Sequence, residues 1–295
     1  YVTSATGISE TTGKVLAGNL GINVTGAGNI VANQANHVTG AISLKTANGT
    51  IQYQDTGAIT VGAVGASGNY AGTTGIDSSG GNGTVDLLSG AGGITLNNDI
   101  NAGTGTVYLT SAGAGAGISE AGAAKVTAGT LGMNVTGAGN IVTNNSNVVN
   151  VLGAKTANGN VQFKNTQALG VTTVGASGNF AGTTNGIDTS ATTGKTVDVL
   201  LTAGALTLNN DITTNTTGNV LLTAATGITE AGAAKITTDT VGLNVTGAGN
   251  IVTNNSNVVN VLGAKTANGN VQFKNTQNLG VTTVGASGNF AGTTN

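Results

Sequence analysis

The chain has no cysteine, no proline and no tryptophan among its 295 residues, and its nine basic residues are all lysine. Without cysteine there is no disulfide, no thiolate metal ligand and no thiol nucleophile. With no arginine and a net charge of −2, it carries neither the basic stripe nor the aromatic–basic alternation of a nucleic-acid binder. Aromatics make up 3% and charged residues 7%, so the core cannot be a wide one filled by large rings. No apolar run approaches the ~18 residues that span a bilayer. Tyr1 leads straight into a repeat with no signal-peptide pattern, so the expectation is an internal fragment or a processed product. The lack of cysteine fits a cytosolic protein and, equally, a bacterial protein exported unfolded.

What is present is 51 glycines with abundant Thr, Asn, Ala and Val. Thr and Val favour strands, and Gly and Asn favour the tight turns between them. Residues 135–185 recur as 245–295 with one change, Ala168 to Asn278. An older copy lies near the N-terminus, where Val24-Thr25-Gly26-Ala27-Gly28-Asn29-Ile30 matches 135–141 and 245–251. The offset of about 110 residues marks tandem copies, with approximate units 7–116, 117–226 and 227–295, the last one cut short at Thr294-Asn295.

Inside each unit a small-residue turn is followed by one bulky apolar residue. These are Ile8, Ile30, Ile51, Tyr70, Ile94, Ile118, Ile141, Val161, Phe180, Leu206, Ile228, Ile251, Val271 and Phe290, spaced 19 to 26 residues apart. Period-2 alternation within the spacing, as in Asn160-Val161-Gln162-Phe163, describes short strands, whereas helical solenoids need units of about 33 to 47 residues. The Ala-rich stretches 119–125 and 229–235 read as turns. The expectation is an all-β parallel β-helix, one elongated solenoid over 1–295, with about 14 rungs of ~22 residues, five to a unit, and a rise of ~4.8 Å per rung. The fourteen bulky residues should form one interior column. Asn140, Asn160, Asn179, Asn250, Asn270 and Asn289, each just before a core position, should stack as a turn amide ladder. Gly26 and Gly28, with their copies, can take positive φ at little steric cost, and the inserts 80–83 and 190–194 should bulge as loops.

The rungs 220–229 (Val-Leu-Leu-Thr-Ala-Ala-Thr-Gly-Ile-Thr) and 243–252 (Leu-Asn-Val-Thr-Gly-Ala-Gly-Asn-Ile-Val) resemble the repeat regions of filamentous-haemagglutinin-type exoproteins. The likeness covers nearly the whole chain, but the family's secretion domain with its Asn-Pro motifs is missing. The resemblance implies a right-handed β-helix, the hand to which parallel connections are biased. It also implies a bacterial surface adhesin exported by two-partner secretion.

Catalytic groups are few. His37 is the sole histidine, and its counterparts are Val148 and Val258, so it reads as a drifted exposed position. The recurring acids are Glu10, Glu120 and Glu230; Asp99 and Asp211; and Asp77 and Asp188. A β-helical glycosidase needs two acids about 5 to 9.5 Å apart. Each Glu is instead followed four or five residues on by Lys14, Lys125 or Lys235, as in a surface ion pair worth about 0 to 1 kcal/mol. The runs ending Asn97-Asn98-Asp99 and Asn209-Asn210-Asp211 offer oxygen to calcium, but read better as turns.

The expected function is the structural shaft of an extracellular bacterial adhesin or surface fibre, without catalysis, cofactor or metal. Its partners would be further repeats or copies of itself, and then host-cell or matrix glycans or proteins. A self-assembling filament or sheath subunit and a carbohydrate-active β-helix are the alternatives.

Overall fold

The computed structural model describes residues 1–183 and 185–293; residues 294–295, at the end of the expected third copy, lie outside the described residues. The chain is an all-β, right-handed parallel β-solenoid of about 13 turns. Its one described helix is a single 3-10 turn, Ser79–Gly81. Contacts group the chain into two units: Tyr1–Gly139 with Ala176–Gly182, and Asn140–Gly175 with Thr183–Asn295.

In the first unit, parallel register carries Ile8 to Ile30, Ile51, Val85, Val107 and Leu131. A second file runs Ile22, Leu44, Ile76, Ile100 and Val126. In the second unit the corresponding files are Ile141, Val161, Val197, Val220, Val241 and Leu262, and Ala154, Ile187, Ile212 and Ile236. From Ile30 to Leu262 these side chains are buried. Burying one Ile, Leu or Val contributes roughly 1.5–3 kcal/mol, and β-branched residues suit a pleated wall that meets an identical wall on the next coil. Corners are closed by hydroxyls: Thr46, Thr156 and Thr266 donate to the carbonyls of Gly28, Gly159 and Gly249, each at 2.7 Å.

The single interior column is replaced by several files, and it breaks at the aromatics. Ile8, Ile30 and Ile51 are in register, as are Ile94 with Ile118, Ile141 with Val161, and Leu206 with Ile228, Ile251 and Val271. Above Ile51, however, comes Val85, and above Val161 comes Val197. Tyr70, Phe180 and Phe290 belong to hairpins that leave the coil between two strands. The first, 62–75, departs after Ile59–Val61 and returns at Ile76–Asp77. Coils containing a hairpin are long: neighbours across them, Gln52 and Asp86 or Gln162 and Asp198, lie 34 and 36 residues apart in sequence. Uniform spacing of one bulky residue per turn made each hairpin look like a rung.

Gly26 and Gly28 are not among the positive-φ residues. Glycine is needed there because a Cβ would run into the Ala5 or Thr6 carbonyl of the preceding coil. Gly122 and Gly232, at φ +60 and +61, supply the turns in the Ala-rich stretches.

Candidate functional site

The asparagine turns tie coil to coil, though by a different bond from amide-to-amide stacking. Asn140 Oδ1 accepts from the backbone N–H of Asn160, Asn160 Oδ1 from Thr196, and Asn250 Oδ1 from Asn270, each at 2.9 Å. Asn29 does the same for Thr50. Asn179 and Asn289 stand outside this ladder, at the hairpin tips.

The recurring acids hold backbone. Glu10 and Glu230 accept through Oε2 from the N–H of Gln34 (3.1 Å) and Asn255 (2.8 Å) one coil on. Burial pushes the Glu230 carboxyl above its usual range despite those bonds, and Asp211 adds in the same direction. Asp99 and Asp211 accept from the N–H of Lys125 and Lys235, both at 3.1 Å. Asp77 and Asp188 each close a turn on the N–H and Oγ of Ser79 and Ser190. At Asp77 the upward pull of burial is outweighed by these bonds and by Lys45, 3.5 Å away, so its carboxyl titrates below the usual range. Among the described residues no lysine lies within ion-pair distance of Glu10 or Glu230, which corrects the expected pairing with Lys14 and Lys235. The backbone N–H groups of Asn97 and Asn98 donate to the Val61 carbonyl, so that run is a turn. No group of three or more His, Asp or Glu that could hold a metal ion occurs among the described residues.

His37 is half exposed, and its Nδ1 lies 4.0 Å from Asp55 Oδ1. Behind it stands a buried set that no motif in the sequence marks. Tyr53, fully buried, donates to Asp55 Oδ2 at 2.6 Å, and Val38 and Gly57 donate their N–H groups to the same carboxylate. The later copies replace this set by Phe163, Asn165 and Val148. There Asn165 receives the N–H of Val149 and donates to the carbonyls of Val149 and Gln167. Both versions plug the irregularity where the strand register shifts, between Ala32 and Asn36 or Thr143 and Asn147. Asp55 is a structural plug with its acceptors occupied, and no triad is assembled.

The most specific tertiary arrangement is at the hairpins. Each ends in Gly-Ala-Ser-Gly-Asn-aromatic, with Ser and the aromatic exchanging two backbone hydrogen bonds. Glycine at φ +56 to +57 (Gly68, Gly178, Gly288) follows the serine, as a two-residue hairpin requires. In the second unit Phe290 is buried with Leu221 and Val284, over Gly242, where a Cβ would meet its ring. Asp198, Leu221 and Gly242 face outward on three successive coils in register. Asp198 Oδ2 accepts from the N–H of Asn289 (2.6 Å) and from Gln162 Nε2 (3.3 Å). In the first unit Asp86 Oδ2 grips the N–H of Asn179 at 2.7 Å with help from Gln52, and Phe180 stacks on Tyr108 at 4.9 Å. In the first hairpin Tyr70 covers Gly21 and stacks on Tyr1 at 5.3 Å. Its hydroxyl meets Thr73, which is bonded to Ser43.

Asp86 and Asp198 are 4% and 3% exposed, and burial raises both carboxyls above their usual range against the pull of those bonds. Beside the 175–180 and 285–290 tips lies a small cleft each. One, of about 240 Å³, is lined by Asn160, Gln162, Thr196, Asp198 and Ser287; its equivalent, of about 230 Å³, by Thr50, Gln52, Thr84, Asp86 and Ser177. Each offers one carboxylate, already holding a backbone N–H. That is half of the acid–base pair a glycosidase needs.

Neither a family model, nor a curated protein, nor a solved structure matches this chain.

Proposed function

We propose that this chain is a structural spacer: a segment of an extracellular bacterial adhesin or surface fibre. The observation that carries the reading is the coil-to-coil bonding. Polar side chains that could have formed a site instead accept backbone N–H groups of the next coil, at Glu10, Glu230, Asp99, Asp211 and the Asn140, Asn160 and Asn250 turns. A spacer needs many weak, repeated ties more than one strong site, because each coil contacts only its neighbours. The resemblance of residues 220–229 and 243–252 to haemagglutinin-type repeats supports the same reading.

Antibodies raised against the chain, applied to intact and permeabilised cells that make it, test the placement. Equal labelling of both is expected. Labelling that requires permeabilisation would contradict the surface role.

A further inference from the structure

The 282–293 hairpin of the second unit can let go without undoing a coil. A ladder strand is bonded on both sides, so exchanging it means unwinding its neighbours. The hairpin 282–293 is held to the outer face differently. Phe290, Val284 and Thr293 are buried, Asn289 donates one backbone N–H to Asp198, and at the base Thr282 donates its N–H to the Leu262 carbonyl. Between these anchors the backbone at Gly285, Ala286 and Ser287 is exposed, with nothing within 4 Å of where a Gly285 Cβ would be.

Tip and face are also written more than once. Residues 175–182 and 285–292 are identical, and 65–72 differs only by Tyr70 in place of Phe. The faces share the geometry and vary in detail. The aromatic lies on Tyr108 in one case, against Leu221 in another and on Tyr1 in the third. Asp86 with Gln52, and Asp198 with Gln162, hold the tip amide in the same way. One tip therefore fits faces of different composition.

We infer that hairpin and face are a copy-to-copy recognition pair that also joins separate molecules: the 282–293 hairpin of one molecule takes the place of the resident hairpin on the Asp198–Leu221–Gly242 face of a second copy. Reciprocal exchange remakes the same contacts, so its equilibrium is set by the entropy of association and the strain in the connecting segments. The resident hairpin competes at the effective concentration of a short tether, on the order of millimolar. Exchange belongs to crowded chains, side by side on a surface or in a fibre. This goes beyond the spacer reading and does not require it.

The chain's lack of cysteine makes the test clean. Ser287 and Thr196 line the same cleft. Ser287→Cys chains, mass-tagged, are mixed with Thr196→Cys chains at ~1 mM and treated with a short bis-maleimide. The expected product is a covalent heterodimer whose yield rises with concentration and falls several-fold when the Thr196→Cys chain also carries Gly242→Leu, which fills the ring's seat. A heterodimer indifferent to Gly242→Leu, or none at ~1 mM, overturns the inference. If Gly242→Leu proves unfolded by circular dichroism, a peptide of residues 282–293 replaces it as competitor. It must suppress the heterodimer if exchange occurs, and leaving the yield unchanged overturns exchange equally.

Discussion

At the scale of single residues, burial decides what each acid does. Asp198 and Asp86 hold a backbone N–H while sheltered from water, with Oδ1 of each buried and unpartnered. Burial raises their carboxyls in the folded state, so folding disfavours the ionised form relative to the unfolded chain. Such a group contributes stability that is fully present below its unfolded pKa, about 3.9, and is lost as pH rises through the raised folded value. Asp86→Asn with Asp198→Asn keeps an oxygen acceptor and removes the charge. The double variant should melt a few degrees higher than the parent at pH 7 and show a smaller stability difference between pH 4 and pH 7. Glu230, raised in the same sense by burial, remains in both proteins, so only the difference between them reports on the two aspartates. Thermal melts across that range check it.

The Tyr53–Asp55 pair gives a second residue-scale expectation. Asn165→Asp leaves a buried carboxylate beside Phe163, which has no hydroxyl to offer, and should cost about 1–3 kcal/mol. Adding Phe163→Tyr restores the pairing found in the first copy. A double-mutant cycle by urea denaturation should then give a favourable coupling of at least ~0.5 kcal/mol. Simple additivity would show that Tyr53 does not sustain Asp55.

At the scale of elements, the hairpin is a separate layer laid over a finished coil. Phe290→Ala removes a ring buried against Leu221 and Val284. Full burial of a Phe is worth about 3–5 kcal/mol on truncation, but the loss here is capped by the free energy of opening the hairpin locally. Amide exchange at Ser287 and Phe290 should accelerate strongly while the Val241–Leu262 ladder keeps its protection. Equal loss in both would mean that hairpin and coil unfold as one. Gly242→Ala should act in the same direction from the other side by crowding the ring, at about 1–3 kcal/mol, and should expose the Phe290 peptide bond to chymotrypsin.

The elements also mark where sequence reading succeeds and where it stops. Alternation in segments such as Val161–Asn165, and asparagine before a core position, were enough to give a parallel solenoid with turns tied coil to coil. Both signals are local, and a stacked fold repeats local rules. The hairpins were not legible because an aromatic after Gly-Asn has the same signature as a core residue after an asparagine turn. What separates them is the partner. Phe290 meets Leu221 and Gly242, outward positions on earlier coils, and no spacing rule links residues so far apart in sequence. Gly242 held the usable signal: a glycine inside the strand Ile236–Val245 marks a place where something approaches the backbone closely. The Tyr53–Asp55 set consists of ordinary strand residues, and only their joint replacement by Phe163 and Asn165, alongside that of His37 by Val148, marks them in the sequence.

At the scale of the whole molecule, the proposed role depends on length being set by copy number. In that role a copy of about 110 residues would add its coils to the stack, with the hairpin alongside them. The decisive measurement is small-angle X-ray scattering on the chain beside a variant with one further copy of residues 135–244 inserted in tandem. The account predicts a maximum dimension greater by ~20–25 Å, four to five coils at ~4.8 Å each, with an unchanged cross-section. An inserted copy that thickens the particle, or leaves its length the same, would contradict it.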